Sequence, residues 1–205
     1  MLVFENHLTK EVSDYVEDCM LQLPWYFQTA TSDFSELSGF QSNIPNVIET
    51  PYFVNMLGCH NHGTSAQDIK HFIPIIKKLE ENTGRSFLSR IQRIKANLYT
   101  KDGSYPEDFH HPPHIDNSED NFRGETFLYF VNDADGDTFM FNEHYDYVHK
   151  RYGHEGFNGN FTNQLRIPAE KGKSVLFPLT QCHTSSVPRK GGPRITLNFV
   201  FGEYF

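Results

Sequence analysis

Three residues of types that bind divalent metals lie in the second half of this 205-residue chain. His114 and Asp116 are separated by one residue, so in an extended segment their imidazole and carboxylate project from the same side. His183 follows a short apolar run and a turn, and it supplies a third ligand from a distant segment. Two histidines and one carboxylate bind a divalent ion on one face and leave its other positions open, as an oxygen-activating iron requires.

A residue suited to holding a carboxylate follows the second histidine. Arg194 begins an alternating run in which Arg194, Thr196 and Asn198 share one face. A guanidinium binds a carboxylate through two parallel hydrogen bonds, and the Thr196 hydroxyl can add a third. The positive metal site beside it is suited to a chelating keto acid and O₂. We predict that the apolar residues of the opposite face pack between two sheets: Ile195, Leu197 and Phe199.

Eleven histidines offer other ligand sets. His110 and His111 precede two prolines in a stiff extended segment, and we interpret them as loop residues near the site, with one of them an alternative to His114 as a ligand. The stretch 59–62, Cys-His-Asn-His, lacks a second half with zinc-site spacing and is interpreted as a polar surface loop. Cys182 has no obvious base, so we interpret it as a small buried side chain.

The elements that must position these residues divide the chain into a helical part and a β-rich part. Apolar spacing predicts one helix over residues 9–23 and another over 65–81, which Gly84 ends and Pro74 interrupts with a kink. The pattern predicts a short strand at residues 25–27 and a polar loop at residues 29–46. Beyond residue 90 the period becomes that of strands, which we predict at 91–96, 126–132, 137–141, 165–168, 174–177 and 194–201.

Composition excludes several classes of protein. A formal net charge of −8 argues against sequence-independent binding to nucleic acid and against anionic membranes. Three cysteines are a small and odd number, which does not suit a disulfide framework. They favour a reducing compartment, and we predict that the protein is cytoplasmic. The first residues lack the basic start and apolar run of a signal peptide, and no stretch is apolar enough to span a bilayer.

At these residues the sequence resembles the 2-oxoglutarate- and Fe(II)-dependent oxygenases, especially the prolyl-4-hydroxylase-like branch common among phage and bacterial proteins. The resemblance covers residues 91–201. The family motif is His-x-Asp, a distal His, and a basic residue followed two positions later by a hydroxyl residue. Segments 127–139 and 171–178 also resemble the family's strand-turn-strand and the segment before its distal histidine. The motif positions are His114, Asp116, His183, Arg194 and Thr196.

The sequence departs from the family at two places. It has Asp135-Gly136-Asp137 where many relatives carry paired glycines, which affects turn geometry. It has Arg194 where prolyl 4-hydroxylases usually carry lysine, so the resemblance supports the superfamily better than a proline substrate. Relatives often place a tyrosine before His-x-Asp to bind the keto acid. The matching candidate is Tyr99, and the further ones are Tyr129 and Asn97.

The resemblance implies the fold and the reaction. We predict one α+β domain over 1–205, in which 1–88 is a helical support region with the first strands. Residues 89–205 then form a double-stranded β-helix, a cupin-like jelly roll, with an insertion at 143–163 over one mouth. Fe(II), 2-oxoglutarate and O₂ would hydroxylate an unactivated C–H bond of a peptidyl residue or small molecule, releasing succinate and CO₂. The setting would be the cytoplasm, or the host cytoplasm if a phage encodes the chain.

The aromatic residues in and around the insertion have two interpretations. They pack the insertion as a lid, or they line a substrate groove. They are Phe139, Phe141, Tyr145, Tyr147, Tyr152 and Phe157.

Two other functions fit the same fold. A cupin-type enzyme could use these ligands to hold zinc or another ion for hydrolysis or isomerisation, and a non-enzymatic binding module could keep the jelly roll alone. Arg194 argues against the first, because without a cosubstrate carboxylate it is a buried unpaired charge. The open three-ligand set argues against the second, because structural metal sites are normally closed by four ligands.

Overall fold

The computed structural model describes residues 1–30, 47–59, 69–106, 109–153, 155, 157 and 160–205, and two antiparallel β-sheets dominate it. Two α-helices and one short 3₁₀ helix accompany the sheets in the described ranges. The helices are α1 (Lys10–Leu21), α2 (Ile73–Thr83) and the 3₁₀ turn Leu88–Arg90. The strands are β1 (Leu2–Phe4), β2 (Tyr26–Gln28), β3 (Tyr52–Cys59), β4 (Ile91–Tyr99), β5 (Phe122–Phe130), β6 (Ala134–Asp146), β7 (Arg151–Tyr152), β8 (Asn163–Ala169), β9 (Ser174–Pro178), β10 (Gln181–Ser185) and β11 (Arg194–Tyr204).

The sheet topology is that of a jelly roll. The larger sheet has the order β1-β9-β5-β11-β4-β3-β2, and the smaller has β10-β6-β7 with β8 paired to β6. From β5 onward the chain passes back and forth between the sheets, and the last strand, β11, lies between β4 and β5. At the edge of the smaller sheet, isolated bridges join residue 114 to β10 and residue 110 to Ser186 just after it. This confirms the predicted double-stranded β-helix.

Both helices lie where the apolar spacing places them, with differences at their ends. Helix α1 begins after Thr9, which occupies the capping position without a side-chain hydrogen bond. Helix α2 begins at Ile73, so Pro74 falls in its first turn, where a missing amide proton does no harm, and the predicted kink is wrong. Gly84 ends α2 with φ of 68°, as predicted. Residues 65–68 of the predicted helix lie outside the described residues.

The outer face of the larger sheet packs against the helices. Ile195, Leu197 and Phe199 of β11 join a buried cluster that includes residues of both helices, such as Val16 and Ile76. The prediction that this apolar face lies between the sheets is therefore wrong. Because side chains alternate along a strand, the polar face of β11 is the one that points between the sheets.

The space between the sheets is apolar at one end and polar at the other. Its apolar part is a separate buried cluster, and the polar part is the pocket described below. The cluster comprises Leu128, Phe130, Met140, Ile167, Ala169, Val175 and Phe177.

The predicted insertion at 143–163 is partly regular structure. Strand β6 continues through Asp146, β7 follows at Arg151–Tyr152, and β8 already begins at Asn163. Tyr145, Phe157 and their aromatic neighbours pack on the outer face of the smaller sheet around the buried Cys182, as expected for that cysteine. Among the described residues, none of the six aromatics named above lines the pocket between the sheets.

Some predictions are not addressed by the described ranges. Residues 31–46 of the loop predicted at 29–46, and residues 60–62 of the Cys-His-Asn-His stretch, lie outside them. The division of one domain into 1–88 and 89–205 stays a prediction, although β3 pairs directly with β4. Neither helix in the described part of the chain is long and apolar enough to cross a membrane.

Candidate metal and cosubstrate site

The two histidines predicted to bind metal lie opposite each other on adjacent segments. The backbone N–H of His114 donates to the carbonyl of His183 at 3.0 Å, and His183 returns the bond at 3.0 Å. Side chains of such a directly opposed pair emerge on the same side. The two imidazole centroids are consequently 4.6 Å apart.

Asp116 completes the cluster two residues after His114. Its Oδ2 lies 3.5 Å from Nε2 of His183. One donor atom from each of the three residues lies within 4.8 Å of the other two, and no other such cluster occurs in the described parts of the chain. The structure therefore brings together the three residues predicted to bind metal.

Backbone carbonyls orient both imidazoles toward the centre of the cluster. Nδ1 of His114 lies 3.1 Å from the carbonyl of Pro112, and Nδ1 of His183 lies 3.1 Å from the carbonyl of Gln181. Nδ1 donates in these bonds, so Nε2 is the nitrogen left with a lone pair for a metal. Burial, with a contribution from His183, lowers the pKa of His114 to about 4, so the ring is in its neutral, ligating form at pH 7.

The Asp116 carboxylate is held by three side chains. Thr126 donates to Oδ2 at 2.7 Å, Asn198 donates to the same oxygen at 3.1 Å, and Arg93 donates to Oδ1 at 3.1 Å. A second Arg93 nitrogen donates to the Asp116 backbone carbonyl at 3.1 Å. Burial alone would raise the pKa of Asp116, but His183 and Arg93 hold it well below its usual range. The carboxylate is thus ionised and fixed.

Arg194 lies on the inner face of β11 and is 2% exposed. Its guanidinium donates to Oγ1 of Thr138 at 2.7 Å and lies over the rings of Tyr99 and Phe130, at 5.5 and 5.6 Å from their centroids. Its Nε has no hydrogen-bond partner, and the group forms no ion pair with any described residue. Burial lowers the pKa of Arg194 to about 10, which leaves it cationic at pH 7.

Three further predicted residues line the same pocket. Thr196 is opposite Asn97 and Arg194 is opposite Tyr99 in the β4–β11 pairing, so these side chains share the inner face. Oδ1 of Asn97 is buried without a hydrogen-bond partner.

Tyr129 does not lie in the pocket, and its prediction as a cosubstrate ligand is wrong. Its ring packs in the cluster beneath the helices, and its hydroxyl donates to Ser13 of α1 at 3.1 Å. The reason is strand alternation, because its neighbour Leu128 is the residue that faces the pocket.

His110 and His111 do not replace His114 in the cluster. The buried His111 ring stacks on Tyr99 at 5.1 Å, and burial, with a contribution from Arg194, lowers its pKa to about 3. The His110 ring lies 5.5 Å from that of Phe139. Both residues flank the site without joining the ligand set.

Sequence reasoning missed the side chains that support the site. Arg93, Thr126 and Thr138 were given no role, although each holds a predicted site residue. The available signal is the alternation of β4, where Arg93, Lys95, Asn97 and Tyr99 occupy one face. Thr126 and Thr138 carry no comparable signal, because isolated threonines are common in strands.

The donor set and the buried cation match an Fe(II) and keto-acid site. Two neutral imidazoles and one carboxylate leave coordination positions open. Arg194, with an unpartnered Nε and no counter-ion among the described residues, matches the carboxylate of a cosubstrate.

Comparison with solved structures places this geometry in a known fold. A 2OG-Fe(II) oxygenase family oxidoreductase from Burkholderia pseudomallei superposes with a TM-score of 0.62 at 12% identity, covering 98% of this chain and 84% of that one. The chain has the fold of the 2OG-Fe(II) oxygenases. The sequence matches no protein-family model and no curated protein sequence, so the likeness is one of fold.

Two other structures with this fold differ in what their names state. A prolyl hydroxylase from Trichoplax adhaerens, in complex with a peptide fragment of the hypoxia inducible factor oxygen degradation domain, has a TM-score of 0.58 at 14% identity, covering 98% of this chain and 82% of that one. SnoN, a non-heme alpha-ketoglutarate-dependent epimerase from nogalamycin biosynthesis, has a TM-score of 0.62 at 13% identity, covering 99% of this chain and 80% of that one.

Proposed function

We propose that the protein is an Fe(II)- and 2-oxoglutarate-dependent oxygenase. The observation that carries the proposal is the presence, in one pocket, of an open three-ligand cluster and a buried arginine without a counter-ion. Each of these two features also occurs by itself in proteins of other classes. Together they provide one place for a metal and one for the far carboxylate of a chelating dicarboxylic acid.

His114, Asp116 and His183 would hold the iron, and Nε2 of each histidine is the ligand atom. When bound there with 2-oxoglutarate, ferrous iron supplies oxygen activation, with release of succinate and CO₂ and oxidation of a C–H bond. The protein orients the ligands through the carbonyls of Pro112 and Gln181, which fix the imidazole tautomers.

Arg194 would bind the far carboxylate of 2-oxoglutarate. Thr138 orients the guanidinium, and Thr196, Asn97 and Tyr99 add polar groups in the same pocket. The rings of Tyr99 and Phe130 flank the guanidinium and exclude water, which strengthens its interaction with an anion.

Hydroxylation of an unactivated C–H bond is the outcome we propose. A peptidyl residue and a small molecule are the two substrate classes that we carry forward from the sequence, in accord with a prolyl hydroxylase bound to a peptide fragment and an epimerase bound to nogalamycin RO among structures of this fold. We retain the reducing cytoplasm as the proposed location on the basis of the sparse cysteines.

A hydrolase or isomerase of the cupin type accounts less well for Arg194. A buried cation costs several kcal/mol unless an anion accompanies it, and these reactions provide none at this position. A structural metal in a binding module accounts less well for a cluster of only three ligands.

Succinate release under O₂ tests the proposal. Wild-type protein given Fe(II) and 2-oxoglutarate is expected to form succinate, even without substrate, and His114→Ala and Asp116→Ala are expected to reduce the rate at least about 100-fold. His110→Ala is the matched control, because His110 is adjacent but outside the cluster, and it should keep most of the activity.

Anaerobic binding separates the metal from the cosubstrate. Fe(II) plus 2-oxoglutarate should give the visible absorption of the chelate in the wild type, and Arg194→Ala should require much more 2-oxoglutarate to produce it. Succinate formation that survives both ligand substitutions would contradict the proposal.

A further inference from the structure

Lys95 is a second cation that lines the pocket, and the proposed function assigns it no role. It lies on the inner face of β4, two residues from Arg93 on one side and two from Asn97 on the other. In the β4–β11 register it is opposite Asn198, which donates to Asp116. Lys95 is therefore level with the metal ligands.

Arg194 stands at the other end of this row. Its partner across the strands, Tyr99, lies four residues beyond Lys95, which is about 14 Å along an extended strand. The two cations therefore enter the pocket from backbone positions that are well separated along the strands.

The Lys95 ammonium has only a weak partner among the described residues. It lies 3.5 Å from the hydroxyl of Tyr52 and 5.6 Å from the centroid of that ring. Arg93, by contrast, is already bound to Asp116 at 3.1 Å. Among the described residues that line the pocket, Asp116 is the only acid, and three other side chains already bind its carboxylate.

The charge of the pocket leaves room for another anion. Iron would contribute two positive charges and Asp116 one negative charge, while Arg93, Lys95 and Arg194 contribute three more positive charges. A bound 2-oxoglutarate dianion does not cancel this excess, so the occupied site stays positive beside Lys95. Burial and the nearby Arg93 lower the pKa of Lys95 to about 8 in the metal-free protein, and an anion bound beside the ammonium would raise it again.

We propose that Lys95 binds a carboxylate group carried by the substrate, so the enzyme acts on a free carboxylic acid rather than on an internal peptide residue without a side-chain carboxylate. This inference rests on the proposed function, because it takes the metal and Arg194 as the places of iron and 2-oxoglutarate. A lysine suits the role, since its ammonium is a compact charge on a flexible stem that can follow a ligand.

Binding to protein that cannot turn over tests the inference. Wild type loaded with Zn(II) and 2-oxoglutarate is titrated with N-acetyl amino acids and, in parallel, with the matching N-acetyl amino acid amides, which mimic internal peptide residues. Calorimetry gives each dissociation constant. In at least one pair the acid should bind about tenfold or more tightly than the amide, as expected for a charge-assisted hydrogen bond.

Variants assign that preference to the side chain. Lys95→Met should abolish the difference between acid and amide, Lys95→Arg should keep part of it, and the exposed Lys101→Met should match the wild type. The 2-oxoglutarate dissociation constant of Lys95→Met should stay within about twofold of wild type. Thermal melting of each variant verifies that it is folded.

Several results would overturn the inference. They are an equal affinity for acid and amide in every pair, a preference that survives in Lys95→Met, tighter binding of methyl phosphate than of any acid, and a 2-oxoglutarate affinity that falls as much as that of the acid in Lys95→Met. Failure of wild type to bind 2-oxoglutarate at all would instead reject the proposed function, so the two failures are distinguishable.

Discussion

The two ends of the pocket differ in how completely the protein satisfies their charges. At the metal end, Asp116 accepts hydrogen bonds from Arg93, Thr126 and Asn198. At the cosubstrate end, Arg194 has a hydrogen bond to Thr138 and an Nε without a partner. The Asp116 carboxylate is thus fully hydrogen-bonded before any ligand arrives, whereas Arg194 holds a charge for which the described residues supply no counter-ion.

This difference separates stability from binding. Groups that are satisfied within the fold contribute to its stability, and their removal leaves partners unpaired. A buried cation without an anion opposes folding and is retained for what it binds. Substitution of Asp116 should therefore lower the free energy of unfolding, whereas substitution of Arg194 should not.

The largest expected effect comes from substituting one residue at each end. Asp116→Ala should lower the free energy of unfolding of the metal-free protein by about 2–3 kcal/mol, because Arg93 loses its carboxylate. Arg194→Met should leave that free energy unchanged or raise it by up to about 2 kcal/mol, while weakening 2-oxoglutarate binding about 100-fold or more. Urea denaturation and calorimetric titration measure the two quantities. Equal destabilisation by both substitutions would refute the contrast.

Acidification should lower the free energy of unfolding, because histidines are buried at both ends of the pocket. The pKa of His111 is lowered to about 3 and that of His114 to about 4, both below the unfolded value of 6.5. The unfolded chain therefore binds more protons between pH 6.5 and these values, so stability falls as the pH drops below 6.5. The slope should approach about 1.4 kcal/mol per pH unit for each histidine.

Substitution of His111 measures how much of that slope comes from this histidine. His111→Gln should reduce the slope between pH 6.5 and 4.5 by up to about 1.4 kcal/mol per pH unit in urea denaturation of the metal-free protein. The remaining slope includes His7 and His110, whose pKa values burial also lowers. Gly192→Ala, at an open position that introduces no titratable group, is the control and should leave the slope unchanged. A slope that is the same in all three proteins would contradict the assignment.

The smallest effect should be confined to the cosubstrate end. A Cβ on Gly136 would lie 2.9 Å from the carbonyl oxygen of Ser186 and 3.0 Å from Cδ of Arg194. Gly136→Ala should therefore displace the Arg194 stem and weaken 2-oxoglutarate binding about tenfold, with little change in metal affinity. Gly192→Ala, where no atom lies within 4 Å of the added Cβ, is the control and should bind 2-oxoglutarate normally.

The sequence predicted the site more fully than the packing around it. The convergence of His114, Asp116 and His183 could be predicted, because the chain shows both the local spacing of two and the order of motifs found in the family. The alternation of β11 was also visible, but its apolar face was assigned to the wrong side, since an alternating strand does not reveal which of its two faces meets helices and which meets the second sheet.

Other features depend on tertiary neighbours that no local pattern reveals. Strand β3 was missed, because Tyr52–Cys59 lacks clear alternation of polar and apolar residues. Tyr129 was placed in the pocket by its residue type, whereas the register of β5 turns it toward Ser13. The bonds of Arg93 and Thr126 to Asp116 join segments that only the folded sheet brings together.

The ladder between His114 and His183 has a further consequence. The two segments are otherwise joined by a few bonds at His110 and His111, and a shared ion would link them as a crosslink does. Metal binding should thus stabilise the pairing of these two segments at the edge of the smaller sheet. In the metal-free protein the amide hydrogens of this edge should exchange faster than in the metal-loaded protein, and a protease should cleave there more readily.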